Sequence, residues 1–357
     1  MIQKNKDTDV VSSKRIEVAR RFVVEMFKVQ SGEVFAITAD SGSDEEMVKA
    51  FVNAAKAVGA KPLVLAFPKA RDNGQAGIED WADKALTAAL SQVDIWLEMN
   101  ESFMLYSDIW ETTMKNNKKL RFLTITGSSL QSLERVFCNY EISLMGKLLR
   151  QVKSMVEKSS TIRIQGVSGT DVTFNMEVGY PIDLDDGDLS MPKFGTGPGY
   201  LNLVPKLGTM NGRIVFDMIM HADLSDGGKV EFVMKNGKIT EFTGNKSSIL
   251  KKYIEQLDDE NMYKISHMMI GLNPGVRELS WEIVEDERIW GGVDFGFGYT
   301  SPIDMPPHGQ KAVSHFDGVI KNASVFLDVA CIIKNGEVIH PKLKPLADRL
   351  LKQSHAS

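Results

Sequence analysis

Apolar positions in the first part of the chain alternate between helical and strand spacing. Over residues 14–30, Ile16, Ala19, Phe22, Val23, Met26 and Phe27 fall on one helical face. The run GEVFAITAD that follows is continuous and apolar, as a buried strand is. SGSDEEMVKAFVNAAKAVGA then opens on Ser and Asp, carries acid in its first turn and closes at Gly59, which predicts a capped helix. KPLVLAFP, VDIWLEMN and LRFLTITG read as further strands, with a helix over 105–117 between the last two. This alternation predicts βαβ units and a mostly parallel sheet. Residues 129–158 read as helix and link this part to the next.

Beyond about residue 160 the period shortens to two. TIRIQGVSGTDVTFNME is two strands around a Gly-Thr-Asp turn. KVEFVMKNGKITEF and ASVFLDVACIIKNGEVI each carry an Asn-Gly pair, at Asn236-Gly237 and Asn335-Gly336, the strongest short hairpin signal. GRIVFDMIMHA alternates like one more strand, and a helix falls near 246–257. The predicted architecture is an α/β, Rossmann-like domain with a mostly parallel sheet over 1–157. An α+β, largely antiparallel domain carrying the candidate metal site follows over 158–357.

Composition narrows the function. The chain has 357 residues, long enough for two domains, and is 43% hydrophobic and 25% charged, a globular balance. A net charge of −5 argues against a nucleic-acid partner, which needs a basic face. No apolar run reaches about 20 residues and no polybasic anchor stands out, so no membrane partner is expected. MIQKNKDTDVVSSKR lacks the apolar core of a secretory signal. Two cysteines, Cys138 and Cys331, with no Cys-x-x-Cys pair, exclude a disulfide scaffold and a thiolate zinc site; a cytoplasmic location is expected.

Two glycine-rich stretches invite a nucleotide reading and fail it. GTGPG at 195–199 has Pro198 inside, no Lys-Ser/Thr after it and no βα unit around it. ADSGS, at the end of the first strand, is better placed for a ligand but lacks the G-x-G-x-x-G spacing, so it reads as a turn and helix cap.

The chemistry concentrates in the last hundred residues. AVSHFDGVI places His315 and Asp317 two apart in a strand-like run, hence on one face. Burying both without a partner is costly. A metal would satisfy them, and so would a His–Asp hydrogen bond at a sheet edge. His267, in KISHMMIGLNPGVREL, is a second polar ring in an apolar strand, either a satisfied core residue or a ligand. Two imidazoles and one carboxylate make the facial triad of non-haem Fe(II) enzymes, and equally a catalytic zinc set. His308, in MPPHGQ, is a loop residue with a route into a pocket. His221, His340 and His355 have no such context.

Three stretches, ISHMMIGLNPGVREL, IWGGVDFGFG and AVSHFDGVIKNASVFLD, resemble two related families: the thermophilic, AmpS-type aminopeptidases and the 2,5-dihydroxypyridine 5,6-dioxygenases. The aminopeptidases share the His-x-Asp pair but hold two metal ions. One of their glutamates corresponds to Ser266-His267 here, a second has no counterpart in LNLVPKLGTMNGRIVF, and their middle histidine falls in WGGVDFG. The dioxygenase pattern fits better. It implies mononuclear Fe(II), with zinc as the alternative, on His267, His315 and Asp317. A hydroxylated aromatic ring, dihydroxypyridine-like, and dioxygen are the implied partners, and N-formylmaleamic acid is the family product. A serine near the metal corresponds to Ser301 or Thr300, or its position falls at Gly296. Family pocket histidines correspond to Tyr106 and Tyr200, phenols that orient a ring hydroxyl or handle a proton. Phe295, Phe297 and Met305 either wall the pocket or belong to ordinary core. The resemblance also implies a homo-oligomer. An AmpS-type aminopeptidase or amide hydrolase is the competing function.

Overall fold

The computed structural model describes residues 5–354, with side-chain surroundings from Ser13 onward; His355 lies outside the described residues. The chain forms two compact units. One holds the described residues up to Cys138 with Gly187–Gly197, the other Asn139–Asp186 with the described residues from Pro198. The anticipated division at 157/158 thus falls one helix beyond the boundary between the units.

The first unit opens with α1 (Asn5–Arg20), which runs directly into a π-helical turn, Arg21–Met26. Phe27 N–H donates to Phe22 O, a five-residue step, and the extra residue rotates the apolar face. Val18, Phe22, Val23, Met26 and Phe27 are buried, whereas Ile16 is exposed and the helix ends short of residue 30. There follow β1 (Val34–Asp40), α2 (Glu45–Ala57), β2 (Lys61–Phe67), α3 (Asp83–Leu90), β3 (Ile95–Glu98), α4 (Asp108–Asn116), β4 (Arg121–Thr124) and α5 (Leu130–Phe137). The single helix expected over 129–158 is two, because the chain leaves helical geometry between α5 and α6 (Ile142–Val156).

After the hairpin β5 (Thr161–Gln165) and β6 (Asp171–Asn175), and β7 (Asp183–Asp185), the chain returns to the first unit for β8 (Lys193–Gly195). Three residues were too few to register as a strand by periodicity. The first sheet has the order β2-β1-β3-β4-β8 and every pairing is parallel. The ADSGS segment is the turn and cap it reads as. Asp40 accepts from Gly42 N–H and Ser102 N–H, and Asp44 caps α2 by accepting from Glu46 and Met47 N–H.

The second unit continues with β9 (Tyr200–Leu203), β10 (Asn211–Phe216), β11 (Met218–Ile219), β12 (Val230–Lys235), β13 (Lys238–Thr243), α7 (Ser247–Gln256), β14 (Ile265–Gly271), α8 (Ile283–Asp286), β15 (Val293–Thr300), β16 (Gln310–Ile320), β17 (Ser324–Leu327), β18 (Ala330–Lys334), β19 (Glu337–Val338) and α9 (Lys344–Ser354). Two antiparallel sheets result, β13-β12-β10-β6-β5-β17-β18-β19 and β11-β16-β15-β14-β9-β7. Both Asn-Gly turns have positive φ at each central residue, as a type I′ hairpin requires. GRIVFDMIMHA is not one strand: β10 pairs in the larger sheet and β11 with β16 in the smaller. The two sheets and α6, α7 and α9 share one apolar core, which includes Phe216, Phe232, Phe297 and Phe316.

GTGPG serves a close approach. Gly199 has φ +100°, and a β-carbon there would meet Asn273 Cβ at 2.5 Å. Leu272 N–H donates to Gly199 O and Asn273 Nδ2 to Pro198 O. Both cysteines are free, and among the described residues no helix is long and apolar enough to cross a membrane.

Glu98, at the end of β3, is wholly buried. Its Oε1 accepts from Asn100 Nδ2 and Met104 N–H, and its Oε2 has no hydrogen-bond partner. Burial pushes its carboxyl up to about 7. The unfolded chain gives up this proton near 4.5, so the folded state holds more protons between these values and stability falls as pH rises through that window. Glu98→Gln should flatten the decline, worth about 3 kcal/mol, when denaturant unfolding at pH 4.5 and pH 7.5 is compared. An unchanged pH dependence in the variant would refute the assignment.

Candidate metal centre

β14, β15 and β16 are antiparallel neighbours, and their register makes the site. His267 of β14 stands opposite Gly296 of β15, and Gly296 opposite Asp317 of β16. His315, two residues before Asp317, projects from the same face and stands opposite Gly298. A β-carbon at Gly296 would lie 2.4 Å from His267 Nε2 and 2.9 Å from Asp317 Oδ1. Three polar side chains can therefore converge only because the middle strand contributes no side chain at that point. Register irregularities between Ile265 and His267 and between Gly298 and Thr300 flank the site, as bulges beside functional side chains do.

The donor atoms form a triangle. His267 Nε2 is 3.1 Å from His315 Nε2 and 3.4 Å from Asp317 Oδ1, and His315 Nε2 is 2.9 Å from Asp317 Oδ1. Metal–ligand bonds of about 2.0–2.2 Å put adjacent donors about 3 Å apart, so the triangle matches one face of a coordination shell. The imidazoles stack almost parallel, 9° apart with centroids at 5.0 Å. Two Nε2 atoms at hydrogen-bond distance can share one proton at most, and two neutral rings turn lone pairs toward one point. His315 Nδ1 lies 2.8 Å from Tyr299 O; a carbonyl only accepts, so this nitrogen carries the proton and Nε2 is the donor atom. His267 and His315 are part exposed, which leaves the centre open on one side. This donor chemistry fits a single divalent cation.

The electrostatics agree. Burial alone would raise the Asp317 carboxyl, but both histidines outweigh it and hold the group well below the ordinary carboxylate range. Burial lowers His315, and the charge and hydrogen bond of Asp317 reverse that to a net rise. Asp294, two residues before Gly296, is wholly buried; burial first, then Asp317 and Glu287, push its carboxyl well above the usual value. Asp304, in the loop after β15, is also raised by burial, against the opposing influence of His267 and His315. Asn202 Nδ2 reaches Asp304 Oδ1 at a long 3.4 Å, and Asn202 Oδ1 is buried without a hydrogen-bond partner.

The other sequence candidates are placed variously. Tyr200 pairs with Gly271 and shares the sheet face of His267, with the Arg288 guanidinium 5.4 Å from its ring centroid. Ser301 is buried, and its Oγ accepts from Ile303 N–H in the loop after β15. Thr300 Oγ1 donates to Ser266 Oγ. His308 is exposed, beside the cis Pro306-Pro307 bond. Phe295 and Phe297 alternate with Gly296 and face the opposite side, where they pack with Phe216, Phe232 and Phe316. They are core, so of the two readings open for them the pocket wall gives way. Met305 is buried beside Ser301, whose carbonyl accepts its N–H. Tyr106 lies in the first unit, at φ +65°, with its ring edge-on to Trp110.

Sequence reasoning missed Asp294, Asp304, Asn202 and the role of Gly296. The signal available was GGVDFGFG itself: a charged residue and alternate glycines in a buried strand. Gly296→Ala should lower metal affinity at least tenfold, since the new methyl group must displace ligand atoms, while the far-ultraviolet circular dichroism stays as in the parent. Anaerobic metal titration of both proteins measures this; equal affinity would show that the donors do not need the space.

Comparison with known proteins agrees with the architecture. Residues 16–340 match the family model for 2,5-dihydroxypyridine 5,6-dioxygenase (NicX). A 2,5-dihydroxypyridine 5,6-dioxygenase of Pseudomonas putida KT2440 is 22% identical over 355 residues, covering 93% of this chain and 98% of that one. The solved structure of 2,5-dihydroxypyridine dioxygenase from the same organism superimposes with a TM-score of 0.78 at 18% identity, over 93% of this chain and 99% of that one. Wild-type AmpT of Thermus thermophilus matches with a TM-score of 0.64 at 10% identity, over 92% and 100% of the two chains. With the family model spanning most of its length, the chain belongs to the 2,5-dihydroxypyridine 5,6-dioxygenase family, the ring-cleaving dioxygenases.

Proposed function

We propose that this chain is a mononuclear, non-haem Fe(II) dioxygenase that opens the ring of a hydroxylated pyridine, with His267, His315 and Asp317 holding the iron. The observation that carries this reading is the donor triangle of two imidazoles and one carboxylate with an open side. Family membership supplies the reaction class. For 2,5-dihydroxypyridine the atoms balance as C5H5NO2 + O2 → C5H5NO4, N-formylmaleamic acid, with both oxygen atoms retained and no external reductant.

When bound, Fe(II) supplies the one-electron chemistry that a closed-shell ring and triplet dioxygen otherwise lack. The protein supplies placement. Tyr299 O fixes the tautomer of His315, and the two histidines keep Asp317 ionised, so two neutral donors and one anion face the centre. Tyr200 Oη, on the same sheet face, donates a hydrogen bond to a ring hydroxyl and orients it. Asp304 and Asn202 offer acceptor oxygens near the histidines for the N–H of a pyridone-type ring. The Oγ–H of Ser301 remains a donor while its oxygen serves Ile303 N–H. The phenylalanine layer beneath β15 keeps the far face of these strands dry and fixed.

Anaerobic purification should yield about one iron per chain, as one three-ligand site requires. His267→Ala, His315→Ala and Asp317→Ala should each reduce iron content and oxygen uptake with 2,5-dihydroxypyridine at least a hundredfold. Removing iron with a chelator should abolish uptake, and Fe(II) should restore it where Zn(II) does not. Iron content unchanged in all three variants would sink the ligand assignment. Release of p-nitroaniline from peptide substrates with no oxygen uptake would assign the centre to hydrolysis.

A further inference from the structure

Three buried polar atoms beside the donor triangle have no hydrogen-bond partner: His267 Nδ1 and both carboxylate oxygens of Asp294. They are neighbours. His267 Nδ1 stands 4.0 Å from Asp294 Oδ2. Asp294 pairs with Met269 in the β14–β15 ladder, and Met269 shares the face of His267, so the carboxylate emerges on the side where the imidazole lies. Asp294 is 0% exposed. A buried carboxyl with both oxygens idle is costly, and a buried imidazole nitrogen with nothing to bond adds to it. One hydrogen bond between them would relieve both.

The second imidazole shows what is missing. His315 Nδ1–H donates to Tyr299 O, and this settles which of its nitrogens faces the centre. His267 has no carbonyl in that position. Asp294 is the acceptor within reach, and closing 4.0 Å to a hydrogen bond of about 3 Å takes about 1 Å of side-chain movement.

We propose that Asp294 is the positioning residue for His267: an oxygen of its carboxyl group accepts Nδ1–H, fixes that tautomer and presents the Nε2 lone pair to the metal. The proposal rests on the metal-centre reading above. Asp294 touches neither the donor triangle nor substrate in this role; it acts through the imidazole. An aspartate suits the position because its short stem reaches the ring from the neighbouring strand beside Gly296, whereas the backbone carbonyls of a ladder already accept from the N–H groups of the next strand.

The test begins with metal-free protein carrying ¹⁵N-labelled histidine. The His267 ring, assigned by its loss in His267→Ala, should show the proton on Nδ1 in wild type. Asp294→Leu should lose that preference and bind Co(II), followed by its visible absorption, 10–100-fold more weakly, the usual cost of losing such a partner. Asp294→Asn, whose amide oxygen still accepts from Nδ1–H, should keep the tautomer and recover Co(II) affinity to within tenfold of wild type. A packing role alone predicts the reverse order, with the apolar leucine tolerated best in a dry site. A wild-type spectrum with the His267 proton on Nε2 overturns the proposal, and so does an Asp294→Leu protein with unchanged tautomer and Co(II) affinity. Should Asp294→Leu not fold, the wild-type spectrum and Asp294→Asn decide the matter between them. Wild-type protein that takes up no Co(II) would refute the metal-centre reading instead, and the metal-free tautomer would still rule on Asp294.

Discussion

Register across three strands is the constraint on which the site depends. Side chains directly opposite each other in an antiparallel sheet lie about 5 Å apart, and residues two strands apart about twice that. His267 and Asp317 belong to strands that flank β15, yet their donor atoms stand 3.4 Å apart. They meet by leaning across the middle strand, and they can lean only because Gly296 lies between them. Any other residue would put a carbon atom where two ligand atoms now stand. A one-residue slip of either strand would turn its donor side chain into the phenylalanine core. The apolar packing on the far face, where Phe297 and Phe316 stack at 5.2 Å, therefore also holds the candidate donors in register.

The site is surrounded by charge that a simple core would exclude. Asp294 and Arg288 are wholly buried, Asp304 nearly so, and Arg288 Nη1 meets Glu287 Oε1 at 2.7 Å. Each burial is unfavourable on its own, and together they raise the carboxyl groups of Glu287, Asp294 and Asp304. Functional clefts carry such strain because orienting ligands requires fixed dipoles in a dry place. The long apolar core of the second unit offsets it. The first unit shows the same tension at Glu98, where backbone and amide donors satisfy one carboxylate oxygen and leave the other bare.

This fold does not by itself fix the chemistry. AmpT and the Pseudomonas dioxygenase both align over nearly the whole chain, so the architecture is shared beyond the dioxygenases and does not alone specify a reaction. The donor set is the observation on which the proposed function rests. Among the described residues, one cluster has the spacing of a metal site, and it contains two histidines and one carboxylate. A ring-cleaving dioxygenase needs such a centre with vacant positions, and a two-ion site needs bridging carboxylates as well.

Much was legible along the chain because local rules wrote it. Alternation of period placed the parallel sheet and the antiparallel region, and Asn-Gly pairs placed two hairpins, since these depend on neighbours in sequence. The candidate ligands were legible too: His315 and Asp317 share a face by strand geometry, and His267 interrupts an apolar strand. What the chain order could not convey was proximity between separate strands. Whether His267 meets His315, which face Phe295 and Phe297 take, and that Asp294 lies beside an imidazole 27 positions earlier are all set by ladder register. Short β8 and the division of GRIVFDMIMHA between two sheets were decided the same way. Sequence determined which residue types were at hand and how each strand alternates; only the pairing of distant strands, fixed by burying one common core, decided which of them touch.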